Sequence, residues 1–211
     1  MSPARGPSPA AAARQQPLAG CGQPRERRLD RLFFAVYPDA AAQQQVQALA
    51  QRLRAEHGLK GRPIPPERSH VTLAFVGSFQ GLPGGLVDRL RQAGAAVEAA
   101  PLAVSFDQVG SFDNRPHNRP LVLRGQDGTR AVAGLHQVLR EALVAAGLPD
   151  DGPGPYTPHL TLLYDDCKLP LQPVPPIGWT VRELVLVHSL VGLSTHVPLA
   201  RWRLGRPGTG D

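Results

Sequence analysis

The chain has 211 residues, 42% of them hydrophobic, which suits one compact domain or two small lobes around a shared core and excludes wholesale disorder. No apolar run approaches the roughly 18 residues of a membrane-spanning helix, and two cysteines can build neither a disulfide scaffold nor a four-sulfur zinc site. The formal net charge of +6 points to an anionic partner such as RNA.

Residues 1–30, rich in Ala, Pro, Gln and Arg, are predicted to be a disordered extension. Arg5, Arg14, Arg25, Arg27 and Arg28 outnumber Glu26 and Asp30 there, so half of the +6 lies outside the folded body. The body is then only weakly basic, which fits a substrate with one or two phosphates better than a long nucleic acid. Leu18-Ala19-Gly20-Cys21 looks like a lipoprotein cleavage box, but Arg14, Gln15, Gln16 and Pro17 occupy the place of the apolar segment such a signal requires. A cytoplasmic location is expected.

Residues 31–37 read as a strand stopped by Pro38, followed by a helix over 39–57 whose apolar face is Val46, Leu49, Ala50 and Leu53. Gly58 stands where a C-terminal cap belongs, making His57 a helix-end residue. A Pro-rich loop over 61–66 leads to a strand over 69–76 ended by Gly77. A helix over 86–99, a strand over 102–109 and a polar loop over 110–120 follow, the last with a solvated His117. The second round comprises a strand over 121–124, a helix over 129–146, a Gly/Pro loop and a strand over 159–164. Strands over 181–190 and 198–204 close the domain, and 205–211 is a flexible C-terminus. The predicted class is α+β, with 31–204 forming one domain of two pseudo-symmetric lobes.

Each round carries one copy of a short motif. His70-Val71-Thr72-Leu73 opens the strand of the first and His159-Leu160-Thr161-Leu162 that of the second, each after a Pro-rich loop. Seven histidines and seven threonines would produce roughly 0.2 His-x-Thr matches by chance in a chain of this length. A lone histidine at a strand end is an ordinary half-buried residue; two at equivalent points of a duplicated architecture are a site. Side chains two apart on a strand share a face, so His70 pairs with Thr72 and His159 with Thr161. If the rounds pack about a pseudo-twofold axis, two imidazoles and two hydroxyls converge. That set suits phosphodiester cleavage by acid–base catalysis: one ring takes a proton from water, the other gives one to the leaving oxygen, and the hydroxyls hold nonbridging oxygens. No His-x-x-x-His helix or dense carboxylate cluster suggests a metal, and no cofactor is expected.

These motifs, together with Arg31-Leu-Phe-Phe-Ala, Gly61-Arg-Pro, the segment from His70 to Gly77, Pro158-His-Leu-Thr-Leu-Leu, Glu183-Leu-x-Leu and Arg201-Trp-x-Leu, resemble the two-histidine (2H) phosphoesterase superfamily. Within it the chain is most similar to the RNA 2′,3′-cyclic phosphodiesterase (LigT-like, 2′-5′ RNA ligase) branch. The resemblance implies a bilobal duplicated α+β fold, two mostly antiparallel sheets facing a central cleft with helices outside. It also implies hydrolysis of RNA 2′,3′-cyclic phosphate ends to 2′-phosphates, with reverse 2′-5′ ligation as a family capability. By it His70 is the proton donor, His159 the proton acceptor, and Thr72 and Thr161 bind the phosphate. The partner is an RNA end, the membrane is not involved, and a monomer is expected.

One departure stands out: the family commonly has Arg where this chain has Tyr164, which can stack and donate a hydrogen bond but carries no charge. Phe75 is a candidate to stack on a base, yet in a regular strand it falls on the face opposite His70. His136 is expected on a helix flank, His188 as a satisfied core group, and His196 in the final turn. Small cyclic nucleotides or 2′-5′ oligonucleotides as substrates, and a catalytically silent RNA-binding module, remain open alternatives.

Overall fold

The computed structural model describes residues 29–113, 115–148 and 156–205. Its strands are β1 (Asp30–Val36), β2 (Val71–Phe79), β3 (Leu102–Ser111), β4 (Arg119–Arg124), β5 (His159–Asp165), β6 (Gln172–Val181), β7 (Glu183–Leu190) and β8 (Thr195–Arg203). The α-helices are α1 (Ala40–Glu56), α2 (Leu86–Ala95) and α3 (Arg130–Ala145). The expected N-terminal extension lies outside the described residues as far as position 28, as does the C-terminus from 206.

Local chemistry accounts for most boundaries. The Asp39 carboxylate accepts from the Ala42 amide at 2.9 Å and so caps the start of α1. His57 is its C-cap, followed by Gly58 at φ +62°, a left-handed conformation that favours glycine. Val46, Leu49, Ala50 and Leu53 are the buried stripe, as the periodicity predicts.

Four expectations need correction. β2 runs through Gly77 to Phe79, α2 ends at Ala95 rather than Ala99, and β8 begins at Thr195, which puts His196 in a strand. The fourth is β6, which the sequence hides behind Pro173, Pro175 and Pro176. It is an edge strand, where a run of prolines, which have no amide to donate, is tolerated because one side of the strand needs no ladder bonds. Val181 ends β6, so the predicted strand over 181–190 breaks at Arg182.

The strand order is β6-β3-β4-β5-β2-β1-β7-β8, and each neighbouring pair is antiparallel. Two four-stranded halves meet at β2 and β5, where a single register pair, Val71 opposite Leu160, joins them. In place of two separate sheets there is one eight-stranded sheet whose halves share a narrow seam. Each half contains a strand–helix–strand unit, β1-α1-β2 and β4-α3-β5, with its two strands paired.

The helices bind the halves together. α1 packs on β5 and β6 of the opposite half, and α3 reaches β2 as well as β3. One continuous core results, containing Leu32, Phe34, Val71 and Leu73 from one half and Leu121, Leu123, Leu160 and Leu162 from the other. On the far face of the first half Phe33, Ala35, Val185 and Val187 form a separate small cluster, with Tyr37 against it. That far face is the one that carries the histidines.

Candidate active site

Val71 and Leu160 pair across the seam and are fully buried in the core. Their motif neighbours therefore point to the opposite face. Extending the register by one residue each way sets His70 against Thr161 and Thr72 against His159. The ladder stops after this one pair, and the four side chains stand on the face turned away from the main core, the cleft face.

Both imidazoles are held in the same manner. His70 Nδ1 lies 2.6 Å from the Arg68 carbonyl and His159 Nδ1 lies 2.8 Å from the Thr157 carbonyl, each two residues upstream. A carbonyl only accepts, so each Nδ1 carries the proton and each Nε2 is left for the cleft. Phe33 stacks on His70 at 5.0 Å between centroids, and Phe112 meets His159 edge-on at 4.8 Å. Among the described residues neither the Thr72 nor the Thr161 hydroxyl is engaged by another protein group, and both threonines are half-buried.

A second symmetry lies in the backbone. Phe34 pairs with Ala74 but Ala35 pairs with Thr72, so β2 carries an extra residue at Leu73. Leu121 pairs with Leu163 but Val122 with Thr161, so β5 carries one at Leu162. These bulges sit three residues after each histidine. Each shifts the in–out alternation by one residue. Phe75 therefore lies opposite Phe33 on the cleft face, which corrects the regular-strand expectation. Tyr164 likewise comes round to the face of Thr161. Phe75 is 45% exposed and Tyr164 39%, so both rings are open to a ligand.

The loop before each motif reaches across to the other motif's bulge. The Ile64 amide donates to the Leu162 carbonyl at 2.7 Å, and the Tyr156 hydroxyl donates to the Thr72 carbonyl at 2.8 Å. His136 Nδ1 donates to the Leu73 carbonyl at 2.7 Å while its ring stacks on Tyr156 at 4.0 Å. Asp165, at the end of β5, accepts from the Lys60 and Gly61 amides at 2.6 and 2.7 Å. It anchors the first motif's loop. His188 is satisfied as expected, by Asp30 at 2.7 Å.

Burial is the main electrostatic influence on the histidines. It pushes His70 below the ordinary imidazole value, against the pull of the Arg68 carbonyl and with the help of charge on His159 and Arg68. Burial lowers His159 too, opposed by the Thr157 carbonyl and aided by Arg124. Arg124 is the register partner of His159 and lies over the Phe112 ring at 5.5 Å, so it adds a guanidinium to the cleft beside the second motif. His196 stands edge-on to His70 at 5.2 Å, and burial, with His70 and Arg68, lowers it to about 4.

Sequence reasoning missed Arg124, Phe112 and His196 as cleft residues, because each arrives on a neighbouring strand whose register no local pattern reports. Phe33 had a signal, since β1 is apolar on both faces and one of those faces had to look away from the core. Among the described residues no cluster of three or more His, Cys, Asp or Glu side chains is placed to hold a metal ion. No helix among them is long and apolar enough to cross a membrane.

A duplicated α+β fold presenting two His-x-Thr strands at one seam is the fold of the two-histidine phosphoesterases. A model of the 2′-5′ RNA ligase superfamily matches residues 37–192. The chain is 29% identical to the RNA 2′,3′-cyclic phosphodiesterase of Escherichia coli (strain K12) over 182 residues, covering 82% of this chain and 96% of that protein. It is 32% identical to the RNA 2′,3′-cyclic phosphodiesterase of Thermus thermophilus over 174 residues, covering 75% and 81%. The crystal structure of E. coli LigT complexed with 3′-AMP superposes with a TM-score of 0.66 at 25% identity, over 84% of this chain and 99% of that one. The chain belongs to the 2′-5′ RNA ligase superfamily.

Proposed function

We propose that this protein hydrolyses RNA 2′,3′-cyclic phosphate ends to 2′-phosphomonoesters, without a metal, by the paired His-x-Thr motifs. The observation that supports the reading is the matched pair of Nδ1–carbonyl bonds, which leaves the Nε2 of each motif histidine free for proton transfer. His159 Nε2 takes a proton from water as the oxygen attacks phosphorus. The bond from phosphorus to the 3′ oxygen breaks, and that oxygen leaves with the proton of His70 Nε2. Thr72 and Thr161 donate to the nonbridging oxygens, and Arg124 offsets charge that builds in the transition state. Phe75 and Tyr164 flank the terminal base. The assignment of donor and acceptor follows the family likeness; the two rings are held alike. Cytoplasmic location and a monomeric state belong to the same reading.

The test is incubation of the full chain with adenosine 2′,3′-cyclic phosphate and with a short RNA ending in that group, in the presence of EDTA. Release of the 2′-phosphate supports the reading; a 3′-phosphate product, or no turnover, overturns it. The pH profile adds a sharper expectation. Both free histidines lie below the ordinary value of about 6.5 because burial disfavours the imidazolium. The profile of kcat/KM reports the free enzyme, so its bell should peak on the acid side of pH 6.5. Bound phosphate stabilises an imidazolium, so the kcat profile should sit at higher pH.

Arg124 gives a further check. Its charge holds His159 down, so Arg124→Gln should raise the His159 pKa and move the acid limb of kcat/KM to higher pH. Loss of a charge-assisted contact of about 1.5–3 kcal/mol should also lower kcat/KM by roughly tenfold or more. An acid limb that stays in place would remove Arg124 from the site.

A further inference from the structure

β8 pairs with β7, and a register shift between Leu186 and Val187 keeps one set of its side chains on the cleft face. Val187 faces Pro198, Ser189 faces His196, Val185 faces Arg201 and Glu183 faces Arg203. Since Val185 and Val187 lie on the cleft side, His196, Pro198, Arg201 and Arg203 do too. Trp202 turns the other way, onto Phe34 in the core. The cleft face of β8 thus carries a stripe of His196, Arg201 and Arg203, roughly 20 Å long at about 3.3 Å per residue, with one end against His70.

That stripe lines a groove of about 910 Å³ together with Tyr37, Arg182 and Thr180. Tyr37 and His196 join it to the first motif, at 5.9 and 5.2 Å from the His70 ring. Three carboxylates also line it, and two are already committed. Asp39 caps α1, and Glu183 takes Arg201 at 3.3 Å, leaving Glu67. Among the described residues Arg182 and Arg203 have no ion pair or side-chain hydrogen bond, and both are exposed. His196 adds an unpartnered, buried Nδ1, which leaves the opposite edge of its ring to the groove.

We infer that this groove is a second subsite, which holds the single-stranded RNA leading up to the cyclic end, with Arg182 and Arg203 on its backbone phosphates and Tyr37 and His196 against the residue next to the reacting phosphate. The inference rests on the cyclic phosphodiesterase reading and extends it: the enzyme selects an oligonucleotide end over a mononucleotide. Arginines without a carboxylate partner, set beside an aromatic wall, can hold the backbone of a single strand without reading its sequence. Its size is at the upper end of the range for small-ligand sites, more than a lone terminal nucleotide needs.

The experiment compares kcat/KM for a nucleoside 2′,3′-cyclic phosphate and for a tetraribonucleotide with the same end, in the full chain and in the double variant Arg182→Gln/Arg203→Gln. The wild-type protein should favour the tetranucleotide by roughly tenfold or more, and the preference should shrink as salt rises. The double variant should bring the ratio of the two substrates close to one. A wild-type ratio near one, or a variant that lowers both substrates equally, overturns the subsite. If neither substrate is hydrolysed, the catalytic reading fails, and the subsite is then judged by fluorescence anisotropy of a labelled tetranucleotide with a terminal 2′-phosphate. Salt-sensitive binding that the double variant weakens supports it; equal binding by both proteins overturns it.

Discussion

Replacing either His70 or His159 with alanine is expected to lower kcat/KM toward a nucleoside 2′,3′-cyclic phosphate by about 10³-fold or more, at the upper part of the range for one acid–base group. The two losses should differ in kind. Without His159 the residual rate should lose its acid limb, because no base remains to be protonated. Without His70 it should lose its basic limb. The variants should fold, since both rings lie outside the main core and the hydrogen-bond partner each leaves behind is a single carbonyl, at Arg68 or Thr157. Near-wild-type turnover in either variant would end the paired mechanism. Exchanged limbs would keep the mechanism but reverse the roles.

The second large effect is expected at Gly61, far from any proton transfer. A Cβ there would stand 2.1 Å from the Tyr164 carbonyl oxygen and 3.1 Å from Leu163 Cδ1. The main obstacle is backbone, so it cannot swing aside, and the loop itself must move. That movement would pull the Lys60 and Gly61 amides off Asp165 and strain the Ile64–Leu162 bond at the second bulge. Gly61→Ala should therefore cost about 1–3 kcal/mol, a fall in Tm of roughly 2–10 °C, and should lower kcat/KM by at least tenfold. Gly134→Ala is the contrasting case. It lies within α3 with nothing near its would-be Cβ, and alanine there should stabilise by about 0.5–1 kcal/mol. Equal melting temperatures for the two variants would show that the loop does not need the close approach.

The Gly61 prediction reflects how the site is built. Each histidine belongs to one half, but the loop ahead of each is pinned to the other half's strand. The single seam pair would be a weak hinge alone. The crossed loops and the crossing helices α1 and α3 brace the seam that carries both motifs, as the proposed mechanism requires. Preorganisation of this kind is where acid–base catalysis gains its effect.

Much of this was written in the sequence itself. Apolar spacing determined α1 and its buried stripe, Gly58 determined its end, and the doubled His-x-Thr motif picked out the two strands that pair at the seam. Those features depend on interactions within a few residues, or on one repeated pattern, and so survive without knowledge of neighbours. Tertiary structure alone decided the rest. Whether Phe75 faces cleft or core turns on one extra residue at Leu73, which exists because β1 and β2 pair out of step there. Arg124 and His196 enter the site only through the register of β4 on β5 and of β8 on β7. β6 is a strand despite three prolines because it has a partner on one side only. Register and bulges are settled by hydrogen bonds between distant segments, and a side-chain pattern with a period of two cannot report where that period slips.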